Sequence, residues 1–193
     1  MCIRDRRCGA GKAVPFAEAD WADAQPCHRG NLQDENCYSI LNPVPATAKD
    51  LHGGWHDAGD YNKYVTFTYG TLMDLLLAYE ENSAIWGDDF GIPESGNGVP
   101  DLLDEIKYEL DWLLRMQQSN GSVLCVVGVQ NFASASPPSA DQARRYYGPA
   151  TTAATLSVAT TFALAARQFQ TIPSMAAFAT TLQTCLLYTS RCV

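Results

Sequence analysis

The 193-residue chain has no apolar run approaching the roughly 20 residues that a membrane-spanning helix needs, so no such span is expected. Its first residues carry no charged-then-apolar secretory leader. Basic residues are scarce: 13 Lys and Arg stand against 21 Asp and Glu, for a net charge of −8. That balance argues against nucleic acid or an anionic membrane as a partner, because phosphates need basic patches. A neutral polysaccharide is not opposed. A Gly-rich phosphate loop, a Gly-x-Ser-x-Gly elbow and a short fixed repeat are all missing, which removes phosphate-loop nucleotide binders, α/β-hydrolases and solenoids.

What the chain does have is a 47% hydrophobic fraction, enough for one domain with a real core. Aromatic residues make up 10%, which suits stacking on sugars and suits an ordinary core equally. Helical periodicity dominates. Leu72, Leu75, Leu76 and Tyr79 share one face of a helix over 64–82. Val99-Pro100-Asp101 opens a second helix, whose stripe is Leu103, Ile106, Leu110, Leu113 and Leu114 and whose end is expected near Asn120-Gly121. Thr151 to Gln170 reads as a third helix, with Leu156, Phe162, Leu164 and Ala165, and a fourth begins at Ser174. The β-branched run Ser122–Val129 is the single strand signal. The chain is therefore mainly α.

Between a turn-rich leading segment and the first helix lies Gly53-Gly54-Trp55-His56-Asp57-Ala58-Gly59-Asp60-Tyr61-Asn62-Lys63-Tyr64-Val65. Two carboxylates three residues apart, flanked by glycines, sit on a tight loop feeding a helix. Asp60 is expected near the helix N-cap, where unpaired N–H groups and the dipole keep a carboxylate ionised. An ordinary Asp-capped turn has the same composition.

This block resembles the signature of glycoside hydrolase family 9, the inverting cellulases. A second block, Ile92-Pro93-Glu94-Ser95-Gly96-Asn97-Gly98-Val99-Pro100-Asp101 running on to Gln117, is similar to that family's next helix. A third, Gly148-Pro149-Ala150-Thr151-Thr152-Ala153-Ala154-Thr155, is similar to its Pro-Ser-Thr-Ala-Ala-Thr segment, with Ala150 and Thr151 where that pattern has Ser and Thr. The resemblance spans residues 7–184 in the family's order. It implies an (α/α)6 barrel of about twelve helices, of which the periodicity supplies about four, so the chain is expected to be the N-terminal part of the catalytic domain. It implies Asp60 as general base and Asp57 as a residue holding the attacking water, in hydrolysis of β-1,4-glucosidic bonds of cellulose or related β-glucans. The family's general acid is a glutamate near the far end of the domain, and no residue here matches it. The resemblance further implies a secreted, monomeric endo-β-1,4-glucanase, with calcium in the part of the domain beyond this chain. Exo-acting or glucosaminide-cleaving relatives, a lyase on an α/α barrel and a zinc-stabilised carbohydrate-binding module are the competing readings.

Residues 1–6 and 185–193 look like translated adapter sequence and are expected to be non-native. Setting them aside leaves Cys8, Cys27, Cys37 and Cys125 of seven cysteines. Thiolates and imidazoles suit zinc, and four of them close a structural site. Some members of the resembled family carry such a site, and carried over by position it would use Cys8, Cys27, His28 and His56, with His52 and Cys37 as competitors. A Cys8–Cys27 or Cys27–Cys37 disulfide is the alternative for a secreted chain. Asp101, Asp104, Glu105 and Glu109 are expected to form a solvated or salt-bridged helix face, and Trp112 to lie in the core. Arg144, Arg145, Tyr146 and Tyr147 belong either to a sugar cleft or to a plain surface loop.

Overall fold

The computed structural model describes residues 27–58, 60–132, 135 and 137–189. Cys8 and both ends expected to be non-native, apart from 185–189, lie outside them. Among the described residues four α-helices make the body: α1 (Val65–Glu81), α2 (Asp101–Met116), α3 (Thr152–Phe169) and α4 (Ala176–Thr189). The most extensive packing is α3 on α4, followed by α1 on α3. The expected faces are the buried ones. Leu72, Leu76 and Tyr79 of α1 meet Leu103, Ile106, Leu110 and Leu113 of α2 and Val158, Phe162, Ala165 and Phe169 of α3 in one core. Leu156 departs from expectation and is exposed, as are Phe67 and Leu77 on α1. None of the helices described is long and apolar enough to cross a membrane.

A small four-stranded sheet closes one end of the helices, in the order β1 (Tyr38–Ser39), β4 (Tyr146–Tyr147), β3 (Val126–Gly128), β2 (Lys63–Tyr64). Its register pairs Tyr38 with Tyr146 in parallel, and Val127 with Tyr147 and Lys63 with Val127 antiparallel. Strands this short contribute little by themselves. Their effect is to tie the leading segment, the 53–64 loop and the 126–147 region together.

Two boundaries move for the same reason, which is that tertiary pairing overrides local propensity. Helix α2 stops at Met116 rather than near Asn120-Gly121, because Gln117 turns extended and bridges Val123, and Gly121 becomes the tip of the turn at φ +91°. Helix α1 starts at Val65 because Lys63 and Tyr64 are held in the sheet. Asp60 therefore lies five residues before the helix and is not its cap, and Tyr64 at the cap position makes no side-chain capping bond. Helix α3 is capped by Thr151, whose hydroxyl accepts from Ala154 N–H. Helix α4 runs through Cys185 to Thr189, and the Cys185 carbonyl accepts from Gln117 Nε2 at 2.9 Å.

Candidate active site

The loop from Gly53 to Lys63 is gripped on several sides. Gly53 and Gly54 have φ of +89° and +78°, a region open mainly to glycine. At Gly54 a Cβ would sit 2.6 Å from Trp112 Cγ, so the backbone lies flat on that buried indole. Trp112 is core, as expected. Trp55 N–H donates to Glu109 Oε2 at 2.6 Å, and its indole Nε1–H donates to Glu105 Oε1 at 2.7 Å. Lys63 Nζ donates to the Leu51 and Gly53 carbonyls at 3.1 and 2.6 Å and pairs with Asp34 Oδ2 at 2.8 Å.

Inside these anchors the chain makes a tight reversal. Asp57 N–H donates to the Asn62 carbonyl at 2.7 Å, and Tyr61 N–H donates to the Ala58 carbonyl at 3.2 Å. Tyr61 takes φ +56°, uncommon for an aromatic residue, and its carbonyl accepts from Arg145 Nη2 at 2.8 Å. Asp60 Oδ1 accepts from Asn62 N–H at 3.2 Å, a local Asx-type bond. Asn62 Oδ1 accepts from Val129 N–H at 2.9 Å, which joins the loop to the end of β3.

Asp57 is exposed and Asp60 half-buried. Asp57 lines a cleft of about 180 Å³ with Trp55, His56, Tyr64, Phe67, Thr68 and Thr71. Asp60 is not among its walls.

Beneath the loop sits a buried ionic cluster. Asp34, Lys63 and Arg145 are each fully enclosed, and Arg145 Nε pairs with Asp34 Oδ1. Burial pushes the Asp34 carboxyl up, but Arg145, Lys63 and His28 together outweigh it and hold it well below the usual carboxylate range. Arg145 and Tyr147 therefore serve the scaffold rather than a sugar cleft. Tyr147 is buried and donates its hydroxyl proton to the Thr47 carbonyl at 2.8 Å. Arg144 stacks between Tyr38 and Tyr146 at 4.8 and 5.0 Å.

Three of the four residues in the expected metal set converge. Cys27, His28 and His56 are all buried and each brings a ligand atom within 4.8 Å of the other two. Cys27 Sγ lies 3.8 Å from His56 Nε2, and the two imidazoles meet edge to face at 5.1 Å. Asp141 Oδ2 engages His28 Nε2 at 3.1 Å and fixes that ring at the edge of the group. One soft sulfur and two imidazoles suit zinc. The competitors are turned elsewhere: His52 pairs with Asp50, and Cys37 Sγ contacts the Lys49 carbonyl, with burial pushing its thiol up to about 12. Among the described residues no disulfide forms, so Cys27 and Cys37 are not joined.

The acids of α2 do not form a solvated face. Asp101, Asp104 and Glu109 are buried. Asp101 Oδ2 accepts from Phe90 N–H and Ser95 Oγ–H, and Asp104 Oδ2 accepts from Asn97 Nδ2, fastening the 87–100 loop to the helix. Sequence reasoning missed Asp34, Lys63, Asn62 and Asp141, and it gave Arg145 and Glu109 other roles. Only Glu109 had a visible signal, since it falls between Ile106, Leu110 and Leu113 on the apolar stripe.

The described residues thus form a mainly α body that carries a clamped, carboxylate-bearing loop. The chain belongs to glycosyl hydrolase family 9, whose sequence profile matches residues 4–185. It is 36% identical over 167 residues to endoglucanase D of Acetivibrio thermocellus, covering 85% of this chain and 26% of that protein. It is 33% identical over 170 residues to a cellodextrinase of Butyrivibrio fibrisolvens, covering 85% of this chain and 29% of that one. The crystal structure of a metagenome-derived family 9 endoglucanase superposes with a TM-score of 0.84 at 35% identity, over 98% of this chain and 34% of that one. The chain thus spans about a quarter of the length of these curated relatives and a third of the solved structure. Its fold is accordingly the partial (α/α)6 barrel expected from the sequence.

Proposed function

We propose that this chain supplies the water-activating part of an inverting endo-β-1,4-glucanase acting on cellulose or a related β-glucan. Inversion needs two carboxyl groups on opposite sides of the glycosidic bond, far enough apart to admit a water. Asp60 takes the proton from that water and Asp57 helps hold it, while the oxygen attacks the anomeric carbon from the face opposite the leaving group. The acid that protonates the departing glycosidic oxygen comes from outside these 193 residues. The observation carrying this reading is the clamped loop: Asp57 stands at a cleft while the backbone on either side is held by Glu109, Lys63 and Arg145. A base must be held in place to act on water, and such preorganisation is what the bonds provide.

Cys27, His28 and His56, with Cys8 as fourth ligand, would hold a zinc whose role is structural, pinning the leading segment to the loop. Family relatives include one described as a Zn-binding triple mutant of endoglucanase J30, at 30% identity. An insoluble polymer cannot enter a cell, so the proposed substrate places the enzyme outside it.

The test uses a gene product extended through the rest of the domain. Wild type and Asp60→Ala are incubated with a cello-oligosaccharide and product anomers followed by proton NMR. Immediate α-anomer from wild type, lost in the variant, is expected. Early β-anomer would break the reading, as would robust turnover by the 193-residue chain alone.

A further inference from the structure

Glu105, Glu109 and Trp112 lie at i, i+4 and i+7 of α2, on one stripe of the helix. Between them they engage two adjacent loop residues. Trp112 bears on Gly54, Glu109 takes the backbone N–H of Trp55, and Glu105 takes its indole N–H. The grip closes two residues before Asp57. Helix α2 is thus a template for the loop as well as a core helix.

Glu109 is an expensive choice for that position. It is fully buried among Leu and Ile side chains, where an apolar residue would pack without desolvating a carboxyl. Oε2 is used by Trp55 N–H, while Oε1 has no aligned hydrogen-bond partner. The Thr68 hydroxyl beside it has none either, and Thr68 lines the same cleft as Asp57. Lys63 and Glu105 are the charged groups facing Glu109. Burial pushes the Glu109 carboxyl up to about 8, and the neighbouring Thr68 hydroxyl works against that rise. A buried carboxyl that holds the loop backbone beside the cleft wall fits a role in geometry better than a role in packing.

We propose that Glu109 is a positioning residue of the hydrolytic centre, with Glu105 as its outer partner: the two carboxyl groups of α2 set where Asp57 and Asp60 stand, without touching substrate. The proposal rests on the hydrolase reading above. A displacement of about 1 Å at a catalytic group can cost about a hundredfold in rate, which is the scale of effect expected.

The experiment compares wild type, Glu109→Ala, Glu109→Gln and Glu105→Leu in the domain-length enzyme. Glu109→Ala should lower kcat on a cello-oligosaccharide about 100-fold with KM changed less than about threefold. Glu109→Gln keeps an oxygen that accepts from Trp55 N–H and should restore kcat to within about fivefold. Glu105→Leu, at a half-buried position, should lose about fivefold in kcat and serves if Glu109→Ala does not fold. Amide hydrogen exchange is read on the same samples. Residues 53–62 should exchange at least about tenfold faster in Glu109→Ala, with α3 unchanged. An unchanged kcat, no rescue by Gln, or equal loosening of α3 would overturn the positioning role. A wild type that hydrolyses no β-glucan would overturn the functional reading instead, and loop exchange alone would then decide whether Glu109 holds the loop.

Discussion

Asp34→Asn should be among the most damaging single substitutions in this chain. Asp34 is fully buried and sits between two cations that are just as buried, Lys63 at 2.8 Å and Arg145 on its other oxygen. Asparagine keeps the shape but leaves both cations without a counter-charge, and it turns an amide N–H₂ toward one of them. Breaking a buried pair by removing one partner costs about 3–5 kcal/mol, against a total stability of about 5–15 kcal/mol. For a chain of this size that corresponds to a fall in Tm of about 6–20 °C. The assay is urea unfolding followed by tryptophan fluorescence, Trp112 and Trp55 both being buried reporters. The effect also has a pH signature. A carboxyl held below its ordinary value contributes stability that is present above the unfolded pKa of 3.8 and is lost as pH falls toward the folded value. The wild type should therefore weaken below about pH 4, and Asp34→Asn should lack that part of the acid sensitivity. Replacing all three members together, as Asp34→Leu, Lys63→Met and Arg145→Leu, should recover part of the loss, since no charge of the cluster then remains buried while the Leu51, Gly53 and Tyr61 carbonyls lose their donors. An Asp34→Asn chain within about 1 kcal/mol of wild type would refute the reasoning.

Glu109 should give the opposite pH signature. Its folded-state pKa, raised by burial from 4.5 to about 8, means that stability falls as pH rises through that window. Glu109→Gln should flatten the fall, seen as urea midpoints at pH 5 and pH 8 drawing together. Gly54→Ala would place a Cβ 2.6 Å from Trp112 Cγ at φ +78° and should cost about 2–4 kcal/mol in thermal unfolding. Zinc should bind the chain with one equivalent by elemental analysis, a chelator should lower Tm, and Cys27→Ser should remove both effects.

Sequence alone determined the parts of this protein that repeat locally. Apolar spacing placed the four described helices and most of their buried faces, because a 3.6-residue period is written into neighbouring residues. The glycine-flanked carboxylates and the three resembling blocks pointed to the family, because loop chemistry is also short-range. Tertiary structure decided what depends on distant partners. Asp34 and Arg145 are 111 positions apart, His28 and Asp141 are 113 apart, and nothing near either residue announces its mate. The same holds for Glu109, whose charge points to a wet face although its spacing places it on the apolar stripe: its partner, Trp55, lies 54 residues away. Asp60 was placed at a helix cap because its surroundings look like one. Only the pairing of Lys63 with Val127 shows why the helix starts later: the strand takes residues 63 and 64 before α1 can, since an extended residue held in a ladder cannot also be helical.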